Sequence, residues 1–384
     1  MSLRILIIVP SYEPANVYGG PIRSISALCK GLWQQGHQVE VYTTNANGKN
    51  NLDLTPNETY MRDGVQVTYF SRWTGDHSNF SPGLLLKVFR NVSTFDIIHI
   101  HSWWNLVTIP SAWICYLNGI VPVISPRGSI SNYTLHYRNA FIKRTFHSAI
   151  GRKWLKNSMV HCTTSKEEQE VALLVPGSKR CVIPNLIHLP EPLPGALGQT
   201  DKLRLVFLGR IDPVKNLDFL ISMLAQISLV PFSLTIAGEG DPFYKQNLNA
   251  LSRGQFQINW IGEVVQDDKF SLLADSDILV LPSHTENFGN VVFESLSQGT
   301  PVLVSPQVGA SEYVATHQVG WVAETQTEKW ISVLKHIWEN KSYKGDIRTR
   351  AVQCVKEDFR SDRLVKEYLE MYHSIIEPST TRTS

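Results

Sequence analysis

Acidic residues are missing from a long stretch of this chain: not one Asp or Glu lies between Asp96 and Glu167. The interval carries eight basic residues, Arg127, Arg138, Lys143, Arg144, Arg152, Lys153, Lys156 and Lys166. Cysteine is scarce. The five present, Cys29, Cys115, Cys162, Cys181 and Cys354, are odd in number, widely spaced and contain no C-x-x-C pair. That argues against a disulfide framework or a structural zinc site and fits a reducing compartment. The dinucleotide fingerprint G-x-G-x-x-G is absent, which counts against an NAD enzyme. The apolar run in MSLRILIIVP is five residues long, a first strand and too short for a secretory signal. Residues 102–126 hold no charged side chain, enough to span a bilayer. Asn105, Pro110, Asn118, Gly119 and Pro122 interrupt them, so a buried helix followed by a buried strand is the better account.

A length of 384 residues exceeds what one core holds, so two domains are expected. Charge divides the same way: residues 1–195 carry +7 and residues 196–384 carry −5, which implies different partners for the two halves. Short β-branched apolar runs recur at 4–10, 39–44, 65–70, 96–101 and 121–126, with helix-length stretches such as 21–35 and 104–118 between them. Continuous apolar strands alternating with helices predict a parallel sheet covered on both faces. A Pro/Gly-rich segment at 189–202 breaks the pattern. It restarts at 203–209, 232–238, 258–262, 277–283 and 301–305, and helical segments at about 328–339 and 345–375 close the chain. The fold class is α/β, two consecutive Rossmann-like domains.

In such sheets ligands sit beyond the carboxyl ends of the strands. After the first strand, Gly19-Gly20 lets backbone approach a ligand, and Pro21 suits a first helical turn; a simple turn fits equally. The fourth strand ends in His99-Ile-His101, two imidazoles on one face with no third metal ligand nearby. Arg127, on the Pro/Gly-bounded loop 125–129, suits a phosphate or carboxylate or serves a structural role. Gly209-Arg210 ends the first strand of the second half, and Lys215 follows near a helix start; two cations there can neutralise a leaving diphosphate. Asp275-Ser-Asp277 matches a D-x-D metal motif by letter, but Asp277 opens a buried strand. Finally HTENFGNVVFESLSQGTPVLVS (284–305) reads as loop, helix from about Asn290 to Gln298, and strand. Backbone N–H groups at that helix start suit an anion, and the carboxylates of Glu286 and Glu294 suit sugar hydroxyls.

The 284–305 pattern resembles the E-x7-E signature of retaining family 4 glycosyltransferases. Gly19-Gly20, the Gly209-Arg210…Lys215 pair and His101 resemble further motifs of that family. The resemblance implies a GT-B fold, with domains at 1–192 and 200–358 facing each other across a cleft and a C-terminal helix, about 360–378, returning to the first. It implies catalytic roles for Glu286, Arg210, Lys215 and His101. Donor binding falls to Gly19, Gly20, Gly209, Val264, Asn287, Phe288, Gly289, Asn290, Val291 and Glu294, with Arg127 on the acceptor side. No metal or cofactor is expected beyond a UDP- or GDP-sugar co-substrate. Two departures stand out: Glu286-Asn-Phe-Gly289 replaces the family's E-G-F-G, and Pro184-Asn-Leu-Ile-His188 its P-N-G-V-D.

The acid-free interval interleaves its cations with aromatics over 136–157, among them Phe141, Phe146 and Trp154. This reads as a face for anionic headgroups, against a solvated basic helix and, without a recognition motif, nucleic acid. The expectation is thus a cytoplasmic enzyme, peripheral on the inner face of the membrane. It moves a sugar to a saccharide or lipid-linked saccharide in cell-surface polysaccharide or O-antigen synthesis. A nucleotide-sugar epimerase of the same fold and a non-catalytic assembly scaffold are the alternatives.

Overall fold

The computed structural model describes residues 2–15, 19–136, 140–194, 201–228, 230–264, 266–340 and 343–376. Arg138, residues 195–200 of the Pro/Gly-rich segment and the polar tail lie outside the described residues. The chain forms two compact units, one of Met1–His188 with Phe359–Ser384 and one of Leu189–Asp358.

Unit 1 contains β1 (Arg4–Ile8), β2 (Gln38–Thr44), a small hairpin of β3 (Ala46–Asn47) and β4 (Asn50–Asn51), β5 (Thr59–Arg62), β6 (Val65–Phe70), β7 (Ile97–His101), β8 (Val123–Ser125), β9 (Met159–Cys162) and β10 (Lys179–Val182). Eight of them make one sheet in the order β10-β9-β8-β7-β1-β2-β6-β5. Every pair is parallel except β5 with β6. Ile5, Leu6, Ile7 and Ile8 of β1 are all buried, as a strand covered on both faces requires. Connections run outward in both directions from the β1/β7 pair, which is therefore the topological switch point.

Unit 2 contains β11 (Leu203–Leu208), β12 (Phe232–Ala237), β13 (Ile258–Gly262), β14 (Ile278–Leu281), β15 (Val302–Val304) and β16 (Gly320–Val322), ordered β13-β12-β11-β14-β15-β16. All are parallel, and the switch point is β11/β14.

The long apolar strands stand where the sequence predicts them, while β5, β9, β10 and β16 escape it because they are short, edge-lying or mixed in polarity. The uncharged 102–126 stretch resolves into a helix, Thr108–Leu117, and β8. No helix among the described residues is long and apolar enough to cross a membrane.

The helical segment at 345–375 is two helices, Tyr343–Asp358 and Ser361–Ile376, the second lying within the 360–378 that the resemblance implies, and the unit boundary falls between them. No Gly or Pro between 346 and 376 signals the break. The second helix packs on the Gly20–Gln34 helix, where a Cβ on Gly31 would lie 2.6 Å from Val365 Cγ2. Tyr372, on the same closing helix, is buried and hydrogen bonds His99 in the middle of the sheet at 2.8 Å.

Gly31→Val should therefore overpack this crossing and cost about 1–3 kcal/mol. Thermal unfolding reads the loss, and an unchanged midpoint would contradict the close approach.

Candidate functional site

The β11/β14 switch point of unit 2 gathers the loops that carry most of the chemistry. After β11 the chain turns through Gly209 and Arg210 into a 3-10 turn, Pro213–Lys215, where Val214 N–H donates to the capping carboxylate of Asp212 at 3.0 Å. Alongside runs the turn after β12, tied by Gly209 N–H to Ala237 O (3.0 Å) and Ile211 N–H to Glu239 O (2.8 Å). Gly238 is at φ 144°, and a Cβ there would sit 1.9 Å from Gly209 O, so only glycine lets the two turns touch. The His284 N–H donates to Val214 O at 2.9 Å, joining the loop after β14 to the same rim.

That loop places Glu286 between two fixed points. Its N–H donates to Gln307 O at 3.2 Å and its carbonyl accepts from Gly309 N–H at 2.8 Å. Gly289, at φ 84°, then turns the chain into the Asn290–Ser297 helix. The carboxylate of Glu286 forms an ion pair with Lys215, whose side chain is 14% exposed against 24% for the glutamate. Phe288 is buried, its ring centroid 4.8 Å from that of Phe293, which fixes the loop from below. Asn287, Asn290 and Val291 stay partly exposed around the helix start. Arg210 is exposed and makes no hydrogen bond or ion pair among the described residues.

Glu294 lies in the second turn of the same helix. Its Oε1 accepts from Lys269 Nζ at 2.7 Å, and the two side chains are only 12% and 7% exposed. Lys269 escapes the sequence reading, although one signal was available: in the Gln266–Ala274 helix it shares a buried face with Phe270, Leu273 and Ala274. Val264, in the turn after β13, is half-buried. The D-x-D letters have a structural use: Asp277 is buried, accepting from Arg204 N–H at 2.9 Å and from its guanidinium at 3.3 Å.

Unit 1 holds the remaining predicted residues around its own switch point. Gly19 and Gly20 precede and open the Gly20–Gln34 helix; residues 16–18 of their loop lie outside the described residues. His101 ends β7, fully buried, with its ring centroid 4.0 Å from that of His99. Arg127, at φ 51°, donates from Nε to His101 Nδ1 at 3.2 Å, and from Nη1 to Ser24 Oγ at 3.0 Å and Asn185 Oδ1 at 2.6 Å. It thereby links the glycine loop's helix to His101. A guanidinium has no acceptor, so His101 carries its proton on Nε2, an atom buried without a hydrogen-bond partner. Sequence reasoning also passed over Glu167, a buried carboxylate that accepts from Gly128 N–H at 2.6 Å and Thr163 N–H at 2.7 Å and so holds the Arg127 loop.

The basic interval differs from its sequence reading. Residues 140–156 form Ala140–Phe146, a π-helical turn at His147–Gly151, and Arg152–Lys156. Phe146 and Trp154 pack against the core, edge to face at 5.8 Å, with Phe146 also 6.1 Å from Trp104. Of the three aromatics named for a surface face, Phe141 alone is well exposed, at 81%.

Residues 18–190 match the family described as Glycosyltransferase Family 4, and residues 195–353 the one described as Glycosyl transferases group 1. The chain is 26% identical over 349 residues to a glycogen synthase of Mycobacterium tuberculosis, covering 83% of this chain and 81% of that one. Among solved structures, a sucrose-phosphate synthase from Thermosynechococcus elongatus aligns with a TM-score of 0.77 at 17% identity, over 98% of this chain and 99% of the other. HepE of Anabaena, solved with UDP and glucose, gives 0.73 at 17% identity, over 97% and 100%. The fold is GT-B.

The histidine cluster of unit 1 sets a pH response. A buried chain runs from Tyr372 through His99, Ser125 and His161 to Ile183 O, each link between 2.6 and 2.9 Å. Burial is the main cause holding His99 and His101 well below the ordinary imidazole value and His161 down at about 3. Unfolded histidines take up protons near pH ~6.5, so the unfolded state binds more protons as acid is added. The stability these residues contribute is complete above about pH 6.5 and lost as pH falls toward 3. Urea melts from about pH 7.5 to 4.5 should show that fall, and His161→Gln should make it shallower. An unchanged slope in the variant would overturn the assignment.

Proposed function

We propose, for a chain that belongs to the glycosyltransferases of group 1 and family 4 and uses nucleotide sugars, that transfer proceeds with retention and without a divalent metal. One observation carries this reading: Lys215 and Glu286 meet at the β11/β14 switch point, on the same rim as the unpartnered guanidinium of Arg210. Glu294 takes the ribose hydroxyls of the donor, and the backbone from Phe288 to Val291 lies at the sugar and phosphate. Arg210 and Lys215 hold the diphosphate, stabilising the charge that develops as it leaves, the work a metal ion does elsewhere. Glu286 accepts hydrogen bonds from the sugar ring. The acceptor hydroxyl attacks from the leaving-group side and passes its proton to the departing phosphate oxygen. His101, with its proton on Nε2, is a neutral hydrogen-bond donor in this scheme.

The acceptor we infer is a saccharide, carried on a lipid at the cytoplasmic leaflet, in the building of a surface polysaccharide. Support comes from the acid-free interval. Exposed Lys153 and Lys156 face solvent on unit 1, as do Trp113, Tyr116 and Leu117 of the neighbouring helix. Such a mixture suits anionic headgroups. Flotation with vesicles containing phosphatidylglycerol should capture the wild type and release Lys153→Glu/Lys156→Glu.

Arg210→Ala and Lys215→Ala should each cost about 2–4 kcal/mol of transition-state stabilisation. A panel of UDP- and GDP-sugars, assayed for transfer, reads the loss, and near wild-type rates in both variants would refute the assignment. Chelation with EDTA should leave the rate unchanged. Donor turnover that needs no acceptor would instead favour epimerase chemistry.

A further inference from the structure

Lys269 occupies a position where a lysine needs a reason. It is 5% exposed, on the face of the Gln266–Ala274 helix that also buries Phe270, Leu273 and Ala274. Burying an ammonium costs several kcal/mol unless a counter-charge is held close. Glu294 supplies that charge at 2.7 Å, and the Lys269 ammonium also lies 4.5 Å from the Phe270 ring centroid. The pair involves no other charged side chain among the described residues.

We propose that Lys269 is a positioning residue for the donor's ribose, acting through Glu294. The proposal rests on the reading above that Glu294 binds the ribose hydroxyls. A carboxylate offers two oxygens. Lys269 takes Oε1, while Oε2 makes no hydrogen bond among the described residues. The lysine thus fixes the carboxylate's rotation and leaves one oxygen toward a vicinal diol. A diol supplies donors, and the remaining carboxylate oxygen accepts them.

The test measures binding of UDP, GDP and ADP, each against its 2′,3′-dideoxy counterpart, to wild type, Lys269→Met and Lys269→Arg. Wild type should prefer the ribonucleotide. Lys269→Met should lose that preference by about tenfold or more, as expected for one hydrogen bond to a charged group. Its affinity for the dideoxy compound should hold. Lys269→Arg should regain part of the preference. A merely structural role would weaken both nucleotides alike. If wild type discriminates and Lys269→Met discriminates equally, Lys269 has no positioning role and the reading of Glu294 survives. If wild type binds none of the three nucleotides, or does not discriminate ribose from dideoxyribose, the reading of Glu294 fails and this inference fails with it.

Discussion

A parallel strand covered on both faces has no room for charge along its length, and this constraint orders the rest of the molecule. Ile5 to Ile8 in β1 and Ile278 to Leu281 in β14 are wholly apolar and buried. The charged side chains of the candidate site are therefore displaced to the strand ends. Where successive connections depart in opposite directions, neighbouring loops diverge and expose backbone. In unit 2 that divergence lies between β11 and β14, and the loops flanking it carry Gly209, Arg210 and Lys215 on one side and Glu286 to Asn290 on the other. In unit 1 it lies between β1 and β7, where Gly19-Gly20 and His101 are found.

Electrostatics refine the picture. Each carboxylate of the E-x7-E pattern has its own ammonium, Lys215 for Glu286 and Lys269 for Glu294. Neither pair leaves net charge behind. Arg210, on the same rim, has no ion pair among the described residues.

Much of this was legible in the sequence, and the limits have physical causes. Apolar runs bounded by Gly and Pro marked the long strands, and Gly209, Arg210, Lys215, Glu286 and Glu294 fall in the loops and helix that follow β11 and β14. Lys269 carried only a helical phase to betray it, and one lysine within QDDKFSLLA reads as solvated until its neighbours are known to be buried. Phe146 and Trp154 were misjudged for a related reason, while Phe141 is exposed. A π-helical turn at His147–Gly151 shifts the phase, so a regular helical projection does not describe the inward packing of Phe146 and Trp154. No Gly or Pro marks the break between Asp358 and Ser361, where the chain passes from one unit to the other, and only the family resemblance separated a helix at about 360–378.

The placement of the closing helix also bears on biosynthesis. Unit 2 is one uninterrupted stretch, Leu189–Asp358, whereas unit 1 requires both ends of the chain. On the ribosome, the acidic half has all its strands before Tyr368 and Tyr372 leave the exit tunnel. Until then His99 and His161 lack the aromatic lid those two tyrosines provide. The first-made unit is therefore the last completed, and a chain interrupted before Ser361 would keep every strand of unit 2 while His99 and His161 lacked their two tyrosine partners.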